Sequence, residues 1–406
     1  MNKNEAWELI SGAENKLAKR FKEIEDAALF NQEKVLNAFR NSNVELRHFA
    51  STTGYGHDDI GKNTLSRVFA DAFGAESALV SPLITSGTHA ISATLFGMLR
   101  SGDLLFSVTG NPYDTLMDTI SGGDGSLKDF GIDFKCVDML GDDVNYGEIE
   151  KSLRKLKPSV LYIQRSRGYN WRKALTVEKI SEIIKFLRNF SNAPIVVDNC
   201  YGEFTDTIEP TEVGANVIVG SLIKNAGGGL APTGGYIAGD KAYVDKIANR
   251  LTAPGIGFEN GSYAYGYQYF YQGFFMAPHT VEQALKSSAL FSCVLEGLGY
   301  EVTPRYSEKQ SDIVTSIKFG DLDKLIEFCK AIQYNSPIDS GVVPEPWEMA
   351  GYDDKVIMAA GAFVQGASIE LSADAPIRTP YIAYLQGSLT YEHAKIALAD
   401  VLTKIC

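Results

Sequence analysis

From Glu76 onward, short apolar runs alternate with segments whose apolar positions recur every three or four residues. ESALVSP, DLLFSVTG, FKCVDML, PSVLYIQ, APIVVDN and ANVIVGSL read as strands, and THAISATLFGMLRSG, YDTLMDTISG, YGEIEKSLRKLK and TVEKISEIIKFLRNF read as amphipathic helices between them. This alternation predicts an α/β domain with a mostly parallel sheet covered on both faces, where ligands sit beyond the carboxyl ends of the strands. Before it, Leu17, Phe21, Ile24, Ala28, Val35 and Phe39 keep helical spacing and predict an N-terminal helical arm over 1–50. NTLSRVFADAFG predicts a further helix, capped by Asn63 and stopped by Gly74.

After Pro278 the pattern changes to a long helix, a few strands, DIVTSIKFG and KVIMAAGAFVQGASIELS among them, and a closing helix, LTYEHAKIALADVLTKI. This predicts a large domain over 51–278 and a smaller C-terminal α+β domain over 279–406. Between them in character is 335–354, NSPIDSGVVPEPWEMAGYDD, too long for an idle connection. Its Trp347 and Glu348 belong either to a loop over the active site or to a packed interdomain loop.

A length of 406 residues agrees with two domains rather than one core. The net charge of −12 argues against a nucleic-acid partner, so any phosphate must be bound by local structure. The N-terminus is charged throughout, and no stretch approaches the uninterrupted apolar length of a membrane span. Five scattered cysteines without a CxxC pair read as reduced thiols of a cytoplasmic protein, and the five histidines show no metal-ligand spacing.

Several polar residues fall where strands should end: Ser86, Gly87 and Thr88 in TSGTHA, Tyr113 in GNPYDTL, Asp198 in VVDNCYGEF, and Ser221 and Lys224 in GSLIKNAGGG. Each taken alone fits a turn or a cap. Together they match the needs of pyridoxal 5'-phosphate: a lysine for the aldehyde, a carboxylate for the pyridine nitrogen, a helix N-terminus for the phosphate and an aromatic ring for stacking. Lys224, Asp198, the 86–88 turn and Tyr113 are the respective candidates, with the Ser221 hydroxyl a second phosphate contact. The glycines after Lys224 are expected to let the backbone run close to the cofactor. A P-loop is excluded because no GxxxxGK[ST] occurs, and no GxGxxG follows an early strand.

At these residues the chain resembles the fold type I pyridoxal-phosphate enzymes of cysteine and methionine metabolism, and within them the methionine gamma-lyase-like or aluminium resistance branch, which includes cystathionine beta-lyase-like proteins. The segments carrying the resemblance are GYGHDDIGKNTLSRVFADAFGAE, TSGTHAI, IQRSRGYNWR, VDNCYGEF, GSLIKNAGGGLAPTGGYIAG and the run from Pro344 to Ala394. The resemblance implies that Lys224 binds the cofactor aldehyde, Asp198 its ring nitrogen, and Gly87 and Thr88 its phosphate. It implies Tyr113 as the stacking ring and Ser221 as a phosphate-contacting hydroxyl. It further implies that Tyr55 reaches the phosphate of a neighbouring subunit, giving a homodimer with a shared active site within a homotetramer. Arg378 resembles the arginine that pairs with the substrate α-carboxylate. Two departures stand out. Ile223 occupies the position where better-known lyases place threonine, and QRSRGYNWR replaces an asparagine-bearing loop, with Gln164, Arg165 and Arg167 expected to make the surroundings of the cofactor hydroxyl more cationic.

The activity implied is carbon–sulfur lysis by β- or γ-elimination on a small-molecule substrate such as cystathionine, methionine or cysteine. Lys224 acts as base, and Tyr113 and Tyr55 are candidate aids to proton transfer. The alternatives are a pyridoxal-phosphate-dependent aminotransferase and a non-catalytic stress-response protein on the same fold.

Overall fold

A computed structural model describes residues 1–349, 352 and 354–406. Ala350, Gly351 and Asp353, within the segment singled out at 335–354, lie outside the described residues.

The chain opens with α1 (Lys3–Asn41), started by a capping box in which the Asn2 side chain and Glu5 satisfy each other's backbone N–H groups. At 1.5 Å per residue its 39 residues extend about 58 Å. That length exceeds one domain, and the apolar stripe divides accordingly. Ala6, Ile10, Ala13 and Leu17 pack into the core of the C-terminal domain, whereas Ile24, Val35 and Ala38 pack into that of the large domain. The arm is therefore a strut against both cores. Helix α2 (Ile60–Ala72) begins one turn earlier than the spacing suggested, because Asp59 rather than Asn63 is the N-cap and accepts from the Lys62 N–H. Gly74 follows the helix at φ +58°, in the left-handed region.

The large domain contains β1 (Ser77–Ser81), α3 (Gly87–Met98), β2 (Leu104–Ser107), α4 (Asp114–Ser121), β3 (Asp133–Cys136), α5 (Tyr146–Leu153), β4 (Val160–Gln164), α6 (Val177–Leu187), β5 (Ile195–Asp198), β6 (Val217–Ser221), β7 (Gly235–Gly239) and α7 (Lys241–Leu251). Among the described residues these strands form one seven-stranded sheet ordered β1-β7-β6-β5-β4-β2-β3. Strands β2 to β6 run parallel, and β7 is antiparallel to both β1 and β6. Strand β7, GYIAG, escapes the apolar pattern because two glycines bound it. At Gly239 a side chain would strike the Asn216 carbonyl and Val217, so only glycine lets these neighbours close up.

Helix α8 (Gln268–Gly297) carries the chain between domains and holds Pro278 inside it, so the change of pattern seen in the sequence falls within one continuous rod. Beyond it, β8 (Glu301–Thr303), β9 (Val314–Lys318), α9 (Leu322–Tyr334), β10 (Val356–Ala359), β11 (Ser372–Pro376), β12 (Ile382–Gln386) and α10 (Tyr391–Ile405) make the smaller domain. Its five described strands form an antiparallel sheet ordered β10-β11-β12-β9-β8. Among the described residues no helix is long and apolar enough to cross a membrane.

Candidate active site

Parallel register brings the ends of β4, β5 and β6 level: Gln164 stands opposite Asp198, and Asp198 opposite Val219. Because the apolar runs bury these strands on both faces, polar chemistry can emerge only at their ends. A cavity of about 390 Å³ opens there, between the large sheet and β11 and β12 of the small one. Its walls include Tyr113, Gln164, Asp198, Cys200, Lys224 and Arg378.

The residues expected at the phosphate gather at the start of α3. Ser86 is the N-cap, its Oγ accepting from the His89 N–H at 3.0 Å. The N–H groups of Gly87 and Thr88 fall in the first turn, which has no intrahelical acceptors for them. A methyl group at Gly87 would come within 3.2 Å of Cys200 Sγ and 3.4 Å of Ser221 Cβ, so this turn lies directly over the ends of β5 and β6. Ser221 is buried, and its Oγ accepts from the Ile223 N–H at 3.3 Å, leaving its own proton to donate.

Tyr113 begins α4, where its N–H donates to Gln164 Oε1 at 2.9 Å and its hydroxyl lies 2.9 Å from Thr88 Oγ1. Burial, then the nearby Asp198 and Cys200, push its hydroxyl far above the usual phenol range, so it acts as a neutral donor. Gln164 thus orients Tyr113 from the neighbouring strand.

Asp198 is buried, accepting from the Cys200 N–H at 3.1 Å and lying 3.5 Å from the Tyr162 hydroxyl. Burial raises its carboxyl above the ordinary value, and the Lys224 charge opposes the rise. The Lys224 side-chain amine has no hydrogen bond or ion pair among the described residues; Nζ rests 4.1 Å from the centre of the Tyr201 ring. Burial alone would lower its ammonium, but the neighbouring acids Cys200, Tyr201, Asp198 and Tyr113 outweigh that and hold it well above the usual lysine range. Tyr201 supports this contact from a left-handed backbone, φ +71°, rare for a bulky residue. A hydrogen bond of 3.1 Å between its hydroxyl and Ser368 Oγ ties it to the small domain.

Behind β6 lies a buried carboxyl, Glu203. Its Oε1 accepts from the Tyr236 hydroxyl at 2.9 Å, its Oε2 has no partner among the described residues, and burial lifts its pKa to about 8.

Two expectations change. The glycines at 227–229 do not line the cavity. Side chains there would collide with the Leu222 carbonyl, the Gly273 carbonyl and Leu389 respectively, so the close approach is to the chain's own α8 and following loops. Arg165 and Arg167 also point away from it. Arg165 donates to Asn199 Oδ1 at 2.7 Å and Thr205 Oγ1 at 3.0 Å, and Arg167 reaches the Thr303 carbonyl at 2.7 Å and Asp312 Oδ1 at 3.2 Å. Both guanidiniums are buried, where such charges persist only when paired. The Arg167–Asp312 pair joins the two domains rather than adding charge near a ligand. Ile223 packs against the large core, its Cδ1 3.7 Å from where a methyl at Gly366 would sit.

Tyr55 is 72% exposed and lies outside the cavity of its own chain. Arg378 lines the cavity with its guanidinium paired to Asp354 at 3.1 Å. In and beside the cavity also stand Cys200, Tyr201, Tyr162, Tyr169, Tyr352, Asp374, Tyr384 and Gln386, none of them marked as a site residue by the sequence. Cys200 and Tyr201 follow the Asp198 strand end directly and were accessible to the same strand-end argument. The residues of β11 and β12 carried no such signal.

The family profile described as methionine gamma-lyase matches residues 6–406. The chain is 48% identical over 390 residues to the uncharacterized protein YnbB of Bacillus subtilis (strain 168), covering 95% of this chain and 92% of the relative. It is similar to the crystal structure of a carbon–sulfur lyase involved in aluminum resistance from Clostridium novyi NT, with 52% identity and a TM-score of 0.95, covering 99% of this chain and 96% of that one. The fold is shared at 17% identity, TM-score 0.64, by the pyridoxal-5'-phosphate-dependent protein YhfS from Escherichia coli, over 94% of this chain and 97% of that one.

Proposed function

The chain belongs to the methionine gamma-lyase family, and on that premise we propose that it is a pyridoxal 5'-phosphate-dependent enzyme that breaks a carbon–sulfur bond of a sulfur-containing amino acid. The observation that carries this reading is the convergence, in one cavity, of an unpaired Lys224 and a buried Asp198, with the open first turn of α3 set beside it against Cys200 and Ser221.

The donor set fits the cofactor. Lys224 would hold its aldehyde and Asp198 its ring nitrogen. The Gly87 and Thr88 N–H groups with the Ser221 hydroxyl would hold its phosphate, which explains how a chain of net charge −12 accommodates an anion. When bound, the cofactor supplies an electron sink for the carbanion formed at the substrate α-carbon.

The remaining chemistry falls to the chain. With the cofactor and a substrate in place, Lys224 Nζ, freed as a neutral amine, would take the α-proton as general base. The C–S bond breaks with its electron pair leaving on sulfur as thiolate. The Tyr113 hydroxyl, held neutral by burial and positioned by Thr88 and Gln164, keeps its proton and would offer a hydrogen bond in the site. Arg378 takes the substrate α-carboxylate by exchanging it for Asp354, a task suited to a guanidinium fork. The exposure of Tyr55 leaves it free to serve a neighbouring subunit's phosphate, in keeping with the homodimer with shared sites, within a homotetramer, that the family resemblance implies.

The test is reconstitution with pyridoxal 5'-phosphate, followed by assay of keto-acid and thiol release from cystathionine, cysteine and methionine. A visible absorption band, lost in Lys224→Ala, is expected together with thiol release from at least one substrate. Amino-group transfer to a keto acid without thiol release would replace this reading with an aminotransferase.

A further inference from the structure

We propose that Asp374 is a specificity-determining residue, receiving a second cationic group at the far end of the substrate's side chain. The inference rests on the cavity being the amino-acid site described above and adds the chemical class of the amino acid it selects.

Asp374 projects from β11 into the same cavity as Lys224 and Asp198, but from the small domain. Its Oδ2 accepts from Gln386 Nε2 at 2.8 Å. Among the described residues no lysine, arginine or histidine nitrogen forms an ion pair with it, and the arginine four positions on, Arg378, is paired with Asp354 instead. Lys224 faces it across the cavity and favours its ionised form, but that amine is committed to the cofactor aldehyde in the reading above. A carboxylate turned into a cavity with its cation missing is costly unless a ligand brings one.

Three tyrosines complete a receptor of that kind. Tyr384 stands opposite Asp374 in the sheet register. Its ring lies 5.0 Å from that of Tyr169, which in turn lies 5.8 Å from Tyr352. The arrangement is fixed by the Tyr384 hydroxyl, which donates to the Tyr169 carbonyl at 2.6 Å. All three line the cavity. A carboxylate beside clustered aromatic faces suits an ammonium, through charge and through the negative ring faces together, and disfavours an anionic tail.

The two termini of such a substrate thus meet opposite charges on one stretch of chain, the α-carboxylate at Arg378 and the distal cation at Asp374. In the chain by itself burial lifts the Asp374 carboxyl to about 6, with Gln386 and Lys224 pulling the other way; once Lys224 is committed, a cation brought by the substrate would supply that pull.

The experiment compares S-(2-aminoethyl)cysteine with its neutral isostere S-propylcysteine on the enzyme loaded with pyridoxal 5'-phosphate. Two readouts are taken: kcat/KM for thiol release, and the concentration dependence of the change in the visible spectrum on binding. The wild type is expected to prefer the aminoethyl compound roughly ten- to hundredfold, the scale of a hydrogen bond to a charged group. In Asp374→Asn the ratio collapses toward one, and in Asp374→Glu a preference for the cation returns. Equal treatment of the two compounds by the wild type, or an unchanged ratio in Asp374→Asn, overturns the proposal. Cleavage of both at equal efficiency sinks this inference and leaves the lyase reading intact. Spectral preference lost in Asp374→Asn, with neither compound cleaved, does the reverse. Thermal unfolding checks that the variants are folded; should Asp374→Asn fail, the wild-type preference and the glutamate variant still decide.

Discussion

Asp198 and Asp374 face one cavity from opposite walls and are built differently. Asp198 ends a strand in the middle of a parallel sheet, fixed by the Cys200 N–H and close to the Tyr162 hydroxyl. Asp374 lies within an antiparallel strand and is anchored by the side-chain amide of Gln386. The first is tied to rigid backbone and suits a permanent partner in one position. The second is held through one oxygen by a side chain and suits a ligand that arrives and leaves. On the proposed reading, the large domain would carry the cofactor groups and the small domain the means of choosing what reacts.

Removing Lys224 should abolish what both carboxyls serve. Lys224→Ala is expected to lose the visible band and all measurable turnover, and a variant that kept either would break the assignment at its centre. Asp198→Asn comes next: kcat should fall about ten- to thousandfold, the scale of one to three pKa units supplied by an adjacent opposite charge. The preference between cationic and neutral tails should persist in that variant, since it belongs to the opposite wall. A shift in preference with little change in kcat would mean that the two roles have been exchanged.

Arg378→Lys should raise KM for every substrate by roughly tenfold or more, because an ammonium lacks the bidentate fork. The same factor for cationic and neutral tails would confirm that Arg378 and Asp374 read different ends of the substrate. The tail preference should also depend on pH. Asp374 ionises at about 6, so the preference is present above that value and fades as pH falls through it. Of the groups facing it, Tyr169, Tyr201, Tyr352 and Cys329 all hold their protons above the usual range, chiefly through burial, and Lys224 is committed to the cofactor in the loaded enzyme. A pH-independent ratio from 5 to 8 would argue against Asp374.

The smallest effect concerns stability behind the site. Glu203 titrates at about 8 in the folded chain, raised by burial from an ordinary 4.5. Its neutral form therefore favours folding most fully below 4.5, and that contribution is lost as pH rises through 8. The Tm of Glu203→Gln relative to wild type should accordingly climb between those limits, as followed by thermal unfolding at several pH values. Glu209, Tyr236 and Lys224, which face the same carboxyl, are unchanged in both proteins. A flat difference would show that Glu203 is ionised in the folded state.

How much could be read before the structure depended on the range of the interactions involved. The strands carrying Asp198 and Ser221 were visible as apolar runs, and the helix after Ser86 as a change to helical spacing, so the cofactor wall followed from local pattern. Strand β7 did not, since glycines bound it and its place between β1 and β6 depends on close backbone contact. Arg165 and Arg167 share the QRSRGYNWR loop with Gln164, yet successive residues beyond the strand end turn their guanidiniums into separate buried networks, which the loop sequence alone does not show. Asp374 gave no local sign of a site at all.

Lys224 followed by three glycines shows where the division falls. The sequence by itself determined that a lysine stands just past a buried strand and that the backbone after it must be free of side chains, because both are properties of residue type and local order. Only the tertiary structure decided that those glycines make room for the chain's own Leu222 and Gly273 carbonyls and for Leu389. It also decided that a carboxylate 150 positions further on (374 − 224) faces the lysine. Close packing and electrostatics act between residues that the fold brings together, whatever their distance along the chain.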